Sequence, residues 1–168
     1  MPTLSEAFIR ARIRAWTLFF IAALFVSGIT AIPLKPELDF LVQVFAQGDP
    51  PSALGAWLLH VHAAIVDVST RWPFLALGTD WLAFGHIVIG LGFIGLLRDP
   101  IRNEWLITWG MLACLLVIPW AWCSGWAHGV PWGWRLIDCS FGGGGMVPLL
   151  LIRGYVNELK RRPSQPPL

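Results

Sequence analysis

Charge is scarce in this chain. Asp, Glu, Lys and Arg make up 13% of its 168 residues, about half the share of a typical soluble domain. Hydrophobic residues reach 56% and the mean hydropathy is +0.64. Too few charges are available to coat a water-facing surface, so the composition points away from a soluble domain and towards a polytopic membrane protein. An excess of one sign is missing too. The net charge of +2 is too small to attract a polyanion, and no nucleic-acid partner is expected. Cysteine is limited to three residues with no CxxC pair, which argues against a zinc site and a disulfide framework. Tyrosine occurs once, against eleven Trp, a balance that suits interfacial aromatic belts. No internal repeat is visible, which discourages a transporter built from inverted halves.

What is present is a succession of apolar runs. Residues 15–34 carry no charge. As a helix rising 1.5 Å per residue they would span about 30 Å, the hydrocarbon thickness of a bilayer. Arg10, Arg12 and Arg14 precede the run as an amphipathic lead-in. The same pattern opens a signal peptide. This run is long for one, however, and Ile29 sits badly in a small-x-small cleavage site ending at Ala31, so the span is expected to be retained.

Residues 36–72 are read as an extracytoplasmic helical cap. Pro36 suits a first helical turn, and Leu38, Leu41, Val42 and Phe45 recur at helical spacing. Gly48-Asp49-Pro50-Pro51 breaks that helix. A second follows over 52–72, with Leu54, Trp57, Leu58, Val61, Ile65, Val68 and Trp72 on one face and His60 and Asp67 opposite. It is expected to lie along the membrane surface. Further spans are read at 80–97, 104–122 and 134–155. Asp80 or Thr79 is the expected N-cap of the second span, a polar turn fills 98–103, a loop fills 123–133, and a basic, then proline-rich cytoplasmic tail covers 157–168. The expected fold is an all-α integral membrane protein: one domain, a four-transmembrane-helix bundle with an amphipathic segment between spans 1 and 2.

Orientation follows from the basic residues. With the N-terminal end in the cytoplasm, that side holds Arg10, Arg12, Arg14, Arg98, Arg102, Arg153, Lys160, Arg161 and Arg162, and the other holds Lys35, Arg71 and Arg135. A bacterial inner membrane with both termini cytoplasmic is the expected setting. A crossing by the helix after Pro51 would invert everything beyond it and destroy the bias.

This topology gathers polar side chains at one depth, in the outer leaflet. Asp80 and His86 open the second span, His128 lies in the loop before the fourth, and Arg135 and Asp138 open the fourth. The cap can bring His62 near. An ionisable residue close to hydrocarbon needs a partner or a task. Each has a plain alternative. Arg135 and Asp138, three apart, can pair on their own helix, Arg135 can snorkel to headgroups, and Asp138 can answer the dipole of a helix start. Asp80 can be a simple cap, His128 interfacial, and His86 a structural donor. His60 and His62 point different ways and do not form one metal site, and no metal is expected.

Haem b is the cofactor these histidines raise, since it needs axial histidines between helices. His86 suits, but a second ligand would have to be His62 or His128, both outside the spans. Cys123 and Cys139 fall near the outer face, where a disulfide is an open alternative, while Cys114 sits mid-span. Gly142 to Gly145 is costly in a helix, and either lets helices approach closely or breaks the helix beside a cavity. The leading expectation is a small membrane protein holding a small or lipidic ligand between Arg135, Asp138 and His86. Arg135 takes an anionic group, His86 and Asp138 relay a proton, and an enzyme acting on a quinone-like substrate is one version. The competing expectation is an accessory subunit of a larger membrane complex, or a homo-oligomer, in which the same residues only lock the bundle.

Overall fold

The computed structural model describes residues 5–162. Every regular element among them is helical: α1 (Glu6–Thr30), α2 (Leu34–Phe45), α3 (Ala53–Arg71), a 3₁₀ turn (Pro73–Ala76), α4 (Leu77–Gly92), α5 (Ile94–Arg98), α6 (Glu104–Ala127) and α7 (Trp132–Lys160). Among the described residues, five helical stretches are long and apolar enough to cross a membrane: α1, α3, Pro73–Arg98, α6 and α7.

The helices outrun the apolar runs. α1 starts at Glu6, well before the first uncharged residue, because Arg and Ala are good helix formers whatever their hydropathy. α6 continues through Cys123 to Ala127, and α7 opens at Trp132 behind Pro131. The expected loop over 123–133 therefore shrinks to 128–131. α7 also stays helical through all four glycines and Pro148.

Packing divides the described residues into two compact units. The first comprises the described residues up to Ala22 and from Gly90 onward. Its core is a layer of α1, α5, α6 and α7 side chains at helical spacing: Ile9, Ile13 and Phe20, then Phe93 and Leu96, Ile107, and Leu149, Ile152 and Val156. The Phe20 and Phe93 rings meet edge to face at 4.8 Å between centroids. α6 and α7 form the most extensive helix pair. Lipid is as apolar as leucine, so close fit has to hold such a pair. Gly110 leaves room for Phe93 and Leu149, and a Cβ on Gly142 would lie 2.5 Å from the Cys114 carbonyl oxygen. Lys160 and Glu104 form an ion pair at one end.

The second unit is Ala23–Ile89. α2 and α3 make a hairpin in which the start of α3 comes close to the end of α2. Gly55 admits the Phe45 carbonyl, and a Cβ there would sit 2.8 Å from that oxygen. The Ser52 hydroxyl caps α3 by accepting from the Gly55 amide at 3.1 Å. Gly28 of α1 meets Ala83 and His86 of α4, again at a separation only glycine tolerates.

Candidate functional site

The connection between α6 and α7 is four residues long, and its geometry follows from Gly129. This residue has φ +66°, the left-handed region that favours glycine. The Val130 amide donates to the Gly125 carbonyl at 2.8 Å and the Gly129 amide to the Trp126 carbonyl at 3.3 Å. That is a Schellman ending, which satisfies the last carbonyls of α6.

The ending builds a seat for Arg135. Its Nε donates to the Val130 carbonyl at 2.8 Å. Its aliphatic stem passes over Gly125, where a Cβ would stand 2.8 Å from Cγ. The guanidinium carbon lies 5.8 Å from the centre of the Trp122 ring, inside cation–π range. The terminal nitrogens have no hydrogen-bond acceptor among the described residues. Gly125, Val130 and Trp122 were not anticipated as parts of the site. The one sequence signal was a glycine four residues before another.

Asp138 lies one turn further along α7. It is half-buried and makes no hydrogen bond or ion pair among the described residues. The intrahelical pair with Arg135 that the spacing allows is not formed, because the arginine is turned to Val130 and Trp122. Nor does Asp138 answer a helix start. α7 begins at Trp132, which puts the carboxylate beyond the first turn, where the dipole effect has faded. His128 caps the C-terminus of α6 through its backbone and leaves its ring exposed.

The other three candidates lie in the second unit and have their own surroundings. His86 is half-buried, and its Nδ1 is 2.8 Å from the Leu82 carbonyl one turn back. A nitrogen facing a carbonyl must carry a proton, so in the neutral tautomer Nε2 is the acceptor. Asp80 is exposed in the first turn of α4. It is not a cap, because the helix starts at Leu77. The Thr79 hydroxyl instead returns to the Ala76 carbonyl.

His62 has a partner that was not foreseen. Its Nε2 is 2.6 Å from Asp39 Oδ1, and Lys35 Nζ reaches Oδ2 of the same carboxylate at 3.0 Å. The hydrogen bond from His62, then that from Lys35, hold the Asp39 carboxyl below its ordinary pKa. With Nε2 committed to Asp39, His62 is less available as a haem ligand. An open depression of about 540 Å³ runs along α3 past His62, Asp67 and Arg71, and another of about 420 Å³ lies on α2 by Pro33 and Phe40.

No family model, characterised protein or solved structure matches this chain. Among the described residues no three of His, Cys, Asp and Glu come together in a way that would hold a metal ion. Cys114, Cys123 and Cys139 are free thiols. What the α6–α7 end offers is a fixed cation with unused donors and a tryptophan beside it, and a carboxylate without a partner among the described residues. Such a set can bind an anionic or zwitterionic group through charge-assisted hydrogen bonds.

Proposed function

We propose that this is a four-span membrane protein of a bacterial inner membrane, with both ends of the chain cytoplasmic, that binds a small or lipidic ligand at the outer-leaflet end of α6 and α7. One observation carries the reading: among the described residues, Arg135 is anchored through Nε with its terminal nitrogens free, one turn from an unpaired, half-buried Asp138. Charged groups left unsatisfied near hydrocarbon are costly, and a ligand that meets both removes the cost. Arg135 takes the anionic group. Asp138 takes a cationic or hydroxyl group, or a proton.

The four-span topology is supported by charge. Five crossings would put Arg10, Arg12, Arg14, Arg71 and Arg135 on one side and the remaining seven basic residues on the other, which abolishes the bias that orients membrane proteins. α3 also carries an Asp67–Arg71 ion pair and the His62–Asp39 link, in keeping with a helix at the surface.

The test is native mass spectrometry of protein extracted in mild detergent. Wild type is expected to retain a bound small molecule. Arg135→Gln and Asp138→Asn are expected to lose it while keeping wild-type helix content. Retention in both variants contradicts the proposal.

One feature favours the accessory-subunit reading. Gly133, Ile137, Ser140, Gly144, Val147, Leu151 and Gly154 recur on α7 at alternating steps of four and three. That is the register of a helix–helix seam. Ile137, Ser140, Gly144, Val147, Leu151 and Gly154 are exposed, and small residues there allow close approach by another membrane helix. Recovery of a stoichiometric partner or a second copy, lost on Gly144→Leu, would support that reading over the ligand site.

A further inference from the structure

Arg153 is the second arginine of α7, and no carboxylate answers it among the described residues. Its Nη1 reaches Thr108 Oγ1 at 3.5 Å and Met111 Sδ at 3.7 Å, both weak contacts. The ion pair between Lys160 and Glu104 joins the two helices at this end. Arg153 stands seven residues before Lys160, about 10 Å along the axis, at the edge of the hydrocarbon where a phosphate can still be met. Thr108 lies on the exposed face of α6 with Trp105, Trp109 and Leu112. A polar notch therefore opens within an apolar wall flanked by two tryptophans.

We propose that this notch binds the phosphate of an anionic phospholipid from the leaflet at the Glu104–Lys160 end. The guanidinium fork matches two phosphate oxygens, the Thr108 hydroxyl adds a donor, and the Trp105–Leu112 face receives an acyl chain. A free phosphate would leave that face unused. A zwitterionic headgroup would bring its own cation beside Arg153. The inference needs α6 and α7 to cross a bilayer but does not rest on the Arg135–Asp138 reading, which concerns the opposite end of the pair.

The full-length protein in neutral detergent is titrated with phosphatidylglycerol, with phosphatidylcholine and with inorganic phosphate, and adducts are read by native mass spectrometry. Phosphatidylglycerol is expected to bind about tenfold more tightly than phosphatidylcholine, the order of one strong charge-assisted contact, and inorganic phosphate is expected not to displace it. Arg153→Gln should remove the preference. Arg71→Gln, which deletes the same charge from α3, should keep it. Equal binding of the two lipids by wild type, displacement by inorganic phosphate, or an unchanged preference in Arg153→Gln overturns the proposal. Should Arg153→Gln fail to fold, Thr108→Val decides: a preference reduced several-fold supports the site, and an undiminished one overturns it.

Discussion

The Thr17 side chain is fully buried in α1, and its hydroxyl has no hydrogen-bond partner among the described residues. An unsatisfied buried hydroxyl costs about 1–3 kcal/mol, whereas an apolar group of the same shape costs nothing. Thr17→Val is therefore expected to raise stability by about 1 kcal/mol, read as a shift in unfolding midpoint in mixed micelles. Asp39 carries a pH dependence whose sign follows from its surroundings. Its folded pKa is lowered, first by His62 and then by Lys35. The stability it contributes is complete above the ordinary carboxylate pKa of about 3.9 and is lost as pH falls through the lowered value. Hydrogen exchange in α2 and α3, corrected for intrinsic rates, should rise as pH falls below about 4. Asp39→Asn should remove that acid step. A step that persists in Asp39→Asn assigns it to another group. At this scale the sequence was least informative. His62 and Asp39 are 23 positions apart with no motif to join them, and only the α2–α3 register brings them into contact. Arg135 was found as a charge out of place, but its seat depends on Val130 and on the missing Cβ of Gly125, which hydropathy does not register.

At the scale of the helix, the four-glycine run separates into two roles. Gly142 and Gly145 face Cys114 on α6, while Gly143 and Gly144 face open space. Gly142→Ala meets a backbone oxygen, which cannot swing aside. It is expected to destabilise the protein by about 1–3 kcal/mol, the usual cost of overpacking. Gly143→Ala meets nothing and gains helix propensity, so it should stabilise by up to about 1 kcal/mol. Opposite signs at adjacent glycines, measured by unfolding in detergent, check the α6–α7 register directly. The run itself was visible from sequence, as were the two explanations for it. Which glycines pack required the phase of α7 against α6. Boundaries were legible only where apolarity and helicity coincide. The start of α1 and the end of α6 were missed because a helix continues through basic or small residues that hydropathy treats as loop. Gly129, the left-handed C′ residue, was the local marker of where α6 stops.

For the whole molecule, composition was enough to indicate membrane-crossing helices, since a chain with so little charge cannot cover itself in water. The number of crossings was harder to read. α3 has the length and apolarity of a span, yet its ion pairs and the distribution of basic residues favour a place on the surface. The ligand reading depends on that choice, because it sets the side on which Arg135 and Asp138 lie. Single cysteines in a background lacking Cys114, Cys123 and Cys139, labelled in sealed vesicles of known orientation with a maleimide that cannot cross the bilayer, decide it. Gln47→Cys before α3, Phe74→Cys after it and His128→Cys between α6 and α7 are expected to label from the periplasmic side, and Asp99→Cys only from the cytoplasmic side. Labelling of Gln47→Cys and Phe74→Cys from opposite sides would mean that α3 crosses, and would contradict the account.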